Sequence, residues 1–225
     1  TKIAIIIPSR LDAVRLPNKP LKLINNKEMI LHVLDVATSS DVENVFVATP
    51  DQKIIDVVKN YGGQAVLTSN THQTGTDRVF EVFDKVLKKQ IDIIINLQGD
   101  MPNLNISSLK NIINHMKKNV CDICTLASKL KTNKEINDPD ICKVVVDNDI
   151  EKNNYASALD FYRVPTNKNT SNTYHHIGIY GFTSKAIMRY VGLKRSKLEI
   201  ERKLEQLRAL EDKMRLDVCY IDACP

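Results

Sequence analysis

Apolar residues follow two rhythms along the first half of this chain. Unbroken β-branched runs alternate with segments whose apolar residues recur every three or four positions. "KIAIII", from Lys2 to Ile7, has no polar interruption after its lysine and suits a strand buried on both faces. "NVFVAT", "AVLT" and "IDIIINL" are three further strand patterns. Between them the period is helical. "EMILHVLDVATSS" sets Met29, Val33, Val36 and Ala37 on one face. "DQKIIDVVKNYGG" opens on a candidate cap, Asp51, and stops at glycine. "GTDRVFEVFDKVLKK" aligns Val79, Val82, Phe83 and Val86, and "ISSLKNIINHMKK" follows the fourth strand. Such alternation predicts an α/β fold with a mainly parallel sheet, helices on both faces and right-handed crossovers.

The second half is less regular. "CDICTLA", "ICKVVVD", "YASALDF" and "HIGIYGF" read as strands without a helix between each pair. "SKLEIERKLEQLRALEDKM" reads as one long charged helix, with Leu198, Leu204, Leu207 and Leu210 as its apolar stripe. "RLDVCYI" is a last strand, and "TNKNTSNT", Thr166 to Thr173, a polar loop. No repeat, low-complexity tract or Gly/Ser linker interrupts the chain. The expectation is a single domain over residues 1–225, regular over about 1–120 and a smaller mixed α/β subdomain over about 121–225.

Composition narrows the function. No stretch approaches the roughly 20 apolar residues of a membrane helix, and the N-terminus lacks the pattern of a signal peptide. A cytoplasmic protein with no membrane partner is therefore expected. The formal charge is +5, but the cations are scattered and form no aromatic-interleaved stripe, which argues against nucleic acid. Of the five cysteines, Cys121 and Cys124 form a CxxC. No second CxxC or paired His follows at zinc-site spacing. A redox CxxC opens a helix, whereas this one lies in a strand-like run, where positions three apart face opposite ways. With Cys142, Cys219 and Cys224 also set among apolar residues, all five are expected to be reduced structural thiols.

Candidate chemistry sits in three loops that follow strands, where open parallel sheets bind ligands. "IPSRLDAVRLPNKPL" carries Arg10, Arg15 and Lys19, with Pro8, Pro17 and Pro20 stiffening the path. These cations can converge on one polyanion; the alternative is a solvated basic loop. "TSNTHQTGTDR", from Thr68 to Arg78, runs polar up to Gly75 and then enters a helix. Backbone N–H groups at such a start suit anions, and Gln73 can read a base edge; the alternative is simple capping by Thr74 or Thr76. "NLQGDMP" places Asp100 straight after an apolar strand, where a carboxylate beside a phosphate site holds Mg²⁺; the alternative is a turn residue. The set fits a nucleotide-triphosphate transferase. Neither G-x-x-x-x-G-K-[ST] nor G-x-G-x-x-G occurs, so a P-loop NTPase or a dinucleotide enzyme is not supported.

The sequence resembles the cytidylyltransferases that activate 3-deoxy-D-manno-octulosonate (Kdo) for lipopolysaccharide, from Ile3 to about Tyr220. "IPSRLDAVRLPNKPL" is similar to that family's IPARxxSxRLPGKPL, "HQTGTDR" to HQSGTER, and "NLQGDMP" to NxQGDEP. "YHHIGIYGF" is similar to RHLGIYGY, and "LEIERKLEQLRAL" to LExxExLEQLRxL. Sialic-acid enzymes have a more Gly-rich opening ending in KN, and glucose-1-phosphate-type enzymes a Gly-Thr-Arg opening.

The resemblance implies a Rossmann-like nucleotidyltransferase fold, a homodimer, and formation of CMP-Kdo and pyrophosphate from CTP and Kdo. It assigns Arg10, Arg15 and Lys19 to the CTP phosphates, beside Pro8 and Thr68. Gln73 and Gly75 would border cytosine and ribose, with Arg78 near that pocket. Asp100 would be the Mg²⁺ ligand. Gln98, Arg163, His176, Tyr180, Glu205 and Gln206 would line the sugar-acid pocket, Arg163 on the carboxylate and Glu205 and Gln206 on hydroxyls. Without the resemblance, His176 reads as a strand histidine and Glu205 as a solvated helix carboxylate. Met101 stands where the family usually has Glu, and "DFYRVP" is two residues shorter than FSRxxIP. The family's second metal carboxylate lies in a VDTPEDL-like segment with which Asp222 does not align. The rival readings are a cytidylyltransferase for sialic acid or amino-Kdo, and a non-catalytic nucleotide-binding protein.

Overall fold

The structure, a computed structural model, describes residues 1–12, 16–118, 121–165 and 171–222. Arg15, Cys224 and most of the 166–173 loop lie outside the described residues. The chain divides into two compact units, one of Thr1–Ile113 and one from Asn114 onward.

In the first unit, β1 (Ile3–Pro8) lies between β4 (Asn44–Thr49) and β6 (Ile93–Asn96), and β5 (Ala65–Leu67) flanks β4. All these pairings are parallel, with Ile5 opposite Val45 on one side and Ile95 on the other. A central strand has no solvent face, and every residue of β1 is buried, which is why its sequence shows no alternation. Helices α1 (Met29–Thr38) and α3 (Gly75–Lys85) pack on β1, and α2 (Gln52–Asn60) on β4. Val86, expected on the apolar face of α3, lies one residue past its end and is exposed. A small hairpin of β2 (Leu23–Ile24) and β3 (Lys27–Glu28) was not expected. Its turn residues Asn25 and Asn26 both take positive φ, 49° and 63°, the geometry of a tight hairpin turn. Because the four strands are parallel, the loops after β1, β4 and β6 leave from the same end.

The second unit begins inside α4 (Ile106–Lys118). It holds β7 (Ile123–Ser128), β8 (Lys143–Val146), β9 (Tyr155–Tyr162), β10 (Thr173–Thr183) and β11 (Leu216–Tyr220). The order is β10-β7-β11-β9-β8, and β8 also pairs with β10, so the five strands close on themselves. Only β7 and β11 are parallel; the other pairs are antiparallel. Three helices were missed. α5 (Asn133–Asn137) and α6 (Ile150–Asn153) are too short to show a period, and α7 (Ser184–Gly192) starts at the Thr183 cap.

The long helix expected over "SKLEIERKLEQLRALEDKM" does not form. The segment breaks into α8 (Lys197–Arg202) and α9 (Leu207–Glu211), with Lys203 left-handed at φ 55° between them. A buried ion pair enforces the break. Arg208 donates from Nε to Glu199 Oε2 at 2.8 Å and from a terminal nitrogen to Oε1 at 2.6 Å. Residues nine apart on one straight helix would face opposite ways at about 100° per residue, so this contact requires the bend.

Among the described residues no helix is long and apolar enough to cross a membrane. Cys121, Cys124, Cys142 and Cys219 are free thiols.

Candidate active site

The loops after β1 and β6 and the start of α3 surround a cavity of about 280 Å³ in the first unit. Its wall includes Pro8, Ser9, Arg10, Lys19, Gln73, Thr74, Gly75, Arg78, Gln98, Gly99 and Asp100. Residues from all three motifs therefore converge as expected, while Arg15 lies outside the described residues. Thr68 stands behind the wall, buried and bonded to Arg78.

Each wall residue is held by local chemistry. Lys19 opens a 3₁₀ turn, Lys19–Leu21, entered through Asn18 at φ 56°. Its Nζ donates to Asp100 Oδ2 at 2.9 Å, which ties the first loop to the third. Asp51, expected to cap α2, makes no side-chain cap bond. Its carboxylate instead accepts the Leu11 N–H at 2.8 Å and anchors the cationic loop. Thr74 is the true cap of α3, in a capping box with Asp77, so capping and a ligand wall coexist. Gly75 is tight against Pro8: an added Cβ would stand 3.3 Å from the ring. At Gly99 an added Cβ would meet the Pro8 carbonyl oxygen at 3.0 Å, so a larger residue would push the loop after β6 away from β1 by a few tenths of an ångström. Gln98 donates to Asn96 Oδ1 at 3.0 Å, and Asn96 to Thr76 Oγ1 at 3.3 Å.

Two cations face the cavity close to one another. Burial, and then the neighbouring Arg10 charge, push the Arg78 pKa down. Arg78 donates to Thr68 Oγ1 at 2.5 Å and to the Ser69 carbonyl at 2.9 Å, and so carries the 68–69 backbone. An anion between these cations relieves their repulsion. Glu81 fixes the same loop from behind, accepting the Ser69 N–H at 2.9 Å and pairing with His72 at 2.5 Å. Burial alone would raise the Glu81 pKa, but Lys85, His72 and the Ser69 amide hold it down at about 2.

Sequence reasoning missed Ser9. Its Oγ is buried at the cavity wall with no hydrogen-bond partner among the described residues. A buried unpaired hydroxyl costs about 1–3 kcal/mol, so a ligand contact there is favoured. Asp51 and Glu81 were missed because each acts through a backbone N–H of another loop, which no motif records.

Asp100 is the one carboxylate among the described wall residues. Its side chain is 56% exposed and hydrogen-bonded to a lysine that can move away. A single reachable carboxylate beside a phosphate-binding wall fits the way Mg²⁺ is held, by one or two carboxylates, water and phosphate oxygens.

The second unit gathers another group. Tyr180, Glu205 and Gln206 line one small depression with Tyr190 and Phe182. The His176 ring lies 5.6 Å from that of Tyr180 and bonds to Thr125 Oγ1 at 3.0 Å. Burial first, then His175 and Arg163, push His176 down to about 3, so it is neutral at physiological pH. Burial pushes Tyr180 well up, with Glu205 adding to the shift. Glu205 lies in the break between α8 and α9, not on a helix as expected, and Gln206 stands at the N-cap position of α9 without a side-chain cap bond. Arg163 is exposed and donates to the backbone carbonyl of Asp140 at 3.0 Å. Gln98 belongs to the cavity of the first unit.

The cytidylyltransferase family model matches residues 4–216. The chain is 38% identical over 226 residues to the 3-deoxy-manno-octulosonate cytidylyltransferase of Rhodopseudomonas palustris (strain BisB18), covering 100% of this chain and 91% of that one. It is 40% identical over 227 residues to the enzyme of the same name from Thermodesulfovibrio yellowstonii, covering 95% and 88%. Its backbone matches the structure of CMP:2-keto-3-deoxy-manno-octonic acid synthetase complexed with CTP at a TM-score of 0.89 and 33% identity, covering 99% and 91%. With the motifs in order and those of the first unit around one cavity, the chain belongs to the cytidylyltransferase family, among the 3-deoxy-manno-octulosonate enzymes.

Proposed function

We propose that this enzyme forms CMP-Kdo and pyrophosphate from CTP and Kdo, for lipopolysaccharide, as a cytoplasmic homodimer that uses Mg²⁺. The observation that carries the reading is the meeting of Arg10, Lys19, Gln73, Arg78 and Asp100 around one cavity. CTP lies there, its triphosphate against Arg10, Arg15 and Lys19 and its nucleoside beside Gln73, Gly75 and the Thr68–Arg78 pair. Kdo is taken in the second unit by Arg163, His176, Tyr180, Glu205 and Gln206, with Arg163 leaving its backbone partners for the sugar carboxylate.

The reaction is an in-line displacement. The anomeric 2-hydroxyl oxygen of Kdo bonds to the α-phosphorus, the bond from that phosphorus to the β-phosphate oxygen breaks, and the hydroxyl proton passes to solvent. Arg10 and Lys19 stabilise the charge that builds on the α-phosphoryl and leaving pyrophosphate oxygens. No described wall residue is placed as a dedicated general base. Asp100 would hold the Mg²⁺, which when bound supplies Lewis-acid stabilisation and lowers the pKa of the attacking hydroxyl.

The test is pyrophosphate release from CTP or UTP, each with Kdo, amino-Kdo or N-acetylneuraminate. Release that needs both CTP and Kdo supports the reading. Release with UTP, or without dependence on Kdo, overturns it.

A further inference from the structure

A second cluster of chemistry-bearing side chains lies in the second unit, and none of them lines the cavity or the Tyr180–Gln206 depression. β7 and β11 run parallel, with Cys124 opposite Asp217. Side chains alternate along a strand, so Cys219, two residues on, shares their face. The Cys124 and Cys219 sulfurs stand 3.5 Å apart. His115 of α4 reaches the same face, its Nε2 2.8 Å from Asp217 Oδ2. One ligand atom each from His115, Cys124 and Cys219 lie within 4.8 Å of one another, as do those from His115, Cys121 and Asp217. All five residues are buried.

The Cys124–Cys219 spacing is close to that of two sulfurs on one ion. Zinc–sulfur bonds of about 2.3 Å in a tetrahedron put two sulfurs about 3.8 Å apart, and zinc–nitrogen bonds of about 2.0 Å put nitrogen and sulfur about 3.6 Å apart. The sulfurs are already near that separation, whereas a disulfide at about 2.05 Å requires them to close by roughly 1.5 Å. Charge also balances. Two thiolates neutralise a divalent ion, and Arg215, 3.2 Å from Asp217 Oδ1, offsets that carboxylate. A buried site needs such neutrality. Sulfur and imidazole select a soft or borderline metal over Mg²⁺.

We propose that His115, Cys124 and Cys219 supply three ligands of a buried site for a thiophilic transition metal, Zn²⁺ foremost. Asp217, held by Arg215, orients the His115 ring, the usual role of a carboxylate behind a metal-bound histidine. The ion staples α4 to β7 and β11. These ligands come from a helix and two strands that lie far apart in sequence, so no spacing motif records them.

The test uses the full chain, reduced, stripped with a chelator and titrated with Co²⁺, then with Zn²⁺. The expected result is one equivalent of Co²⁺ with thiolate-to-cobalt charge-transfer and tetrahedral d–d absorption, displaced by one equivalent of Zn²⁺. Co²⁺ at Asp100 gives no sulfur band, so the two sites are told apart. Cys124→Ser and Cys219→Ser lose the band, and Cys142→Ser keeps it. No charge-transfer band in the folded wild-type chain overturns the proposal, and that measurement needs no variant to fold. A band that survives in the Cys124→Ser/Cys219→Ser double variant overturns it equally.

Discussion

Lys19 and Asp100, 81 residues apart, share a hydrogen bond of 2.9 Å that joins the loop after β1 to the loop after β6. The two opposite charges satisfy each other at the cavity wall. Both are substantially exposed, 36% and 56%, so the pair contributes less than about 1 kcal/mol to stability. Lys19→Ala is therefore expected to fold normally and to lose about a hundredfold in kcat, the roughly 3 kcal/mol of one charge-stabilising contact in a transition state. Steady-state turnover and a urea titration on the same sample decide it. Unchanged turnover in the folded variant would make the loop mere solvated surface.

Asp100→Asn separates binding from chemistry. The amide is isosteric and sits on an exposed loop, so the fold should hold. CTP should still bind, because Arg10 and Lys19 lie on a different loop and Lys19 loses its competing carboxylate. Turnover should collapse, since a neutral amide is a poor ligand for a hard cation. Calorimetric CTP binding beside a Mg²⁺ titration of turnover checks both halves. Full activity at ordinary Mg²⁺ removes Asp100 from the site.

His176 makes stability depend on pH. Its folded pKa, about 3, lies below the ordinary value of 6.5, so the unfolded chain binds the extra proton between those values. The neutral buried ring thus favours folding fully above about pH 6.5, and that advantage is lost as pH falls toward 3, by at most about 1.4 kcal/mol per pH unit. Urea midpoints at pH 7 and pH 5 should differ more for wild type than for His176→Gln. Equal differences would mean that His176 does not titrate as its burial requires.

The regular half of the fold was legible because each element there carries its own signal. β1 is central and wholly apolar, and α3 shows both its cap and its stripe. The cavity wall was legible for a related reason, since Arg10, Lys19, Gln73 and Asp100 sit in loops whose polarity breaks the apolar pattern. What stayed hidden depends on distant partners. Asp51 looked like a cap and instead holds Leu11. Ser9 is a short residue in a motif and shows its orphan hydroxyl only in three dimensions. The Cys121–Cys124 spacing gave no hint of His115 or Cys219. The apolar stripe from Leu198 to Leu210 indicated one helix because periodicity cannot see a salt bridge that folds the segment back.

That salt bridge supports the last prediction. Glu199 is 1% and Arg208 5% exposed at the side chain, and Arg208 also lies over the Tyr190 ring at 4.8 Å. Burial would raise the Glu199 pKa, but Arg208 and Arg195 hold it below the usual carboxylate range. Removing one partner strands a buried charge at a cost of about 3–5 kcal/mol. Glu199→Gln should therefore destabilise the chain by that order and let the 203–206 break relax. Glu205 and Gln206 sit in and beside that break, so KM for Kdo should rise while CTP binding in the first unit stays unchanged. The apolar double variant Glu199→Leu/Arg208→Met leaves no stranded charge and should recover most of the stability, without restoring KM. Urea titrations of the three proteins, with KM measured for each substrate, separate these outcomes. A loss below about 1 kcal/mol in Glu199→Gln would show that this pair does not hold the bend.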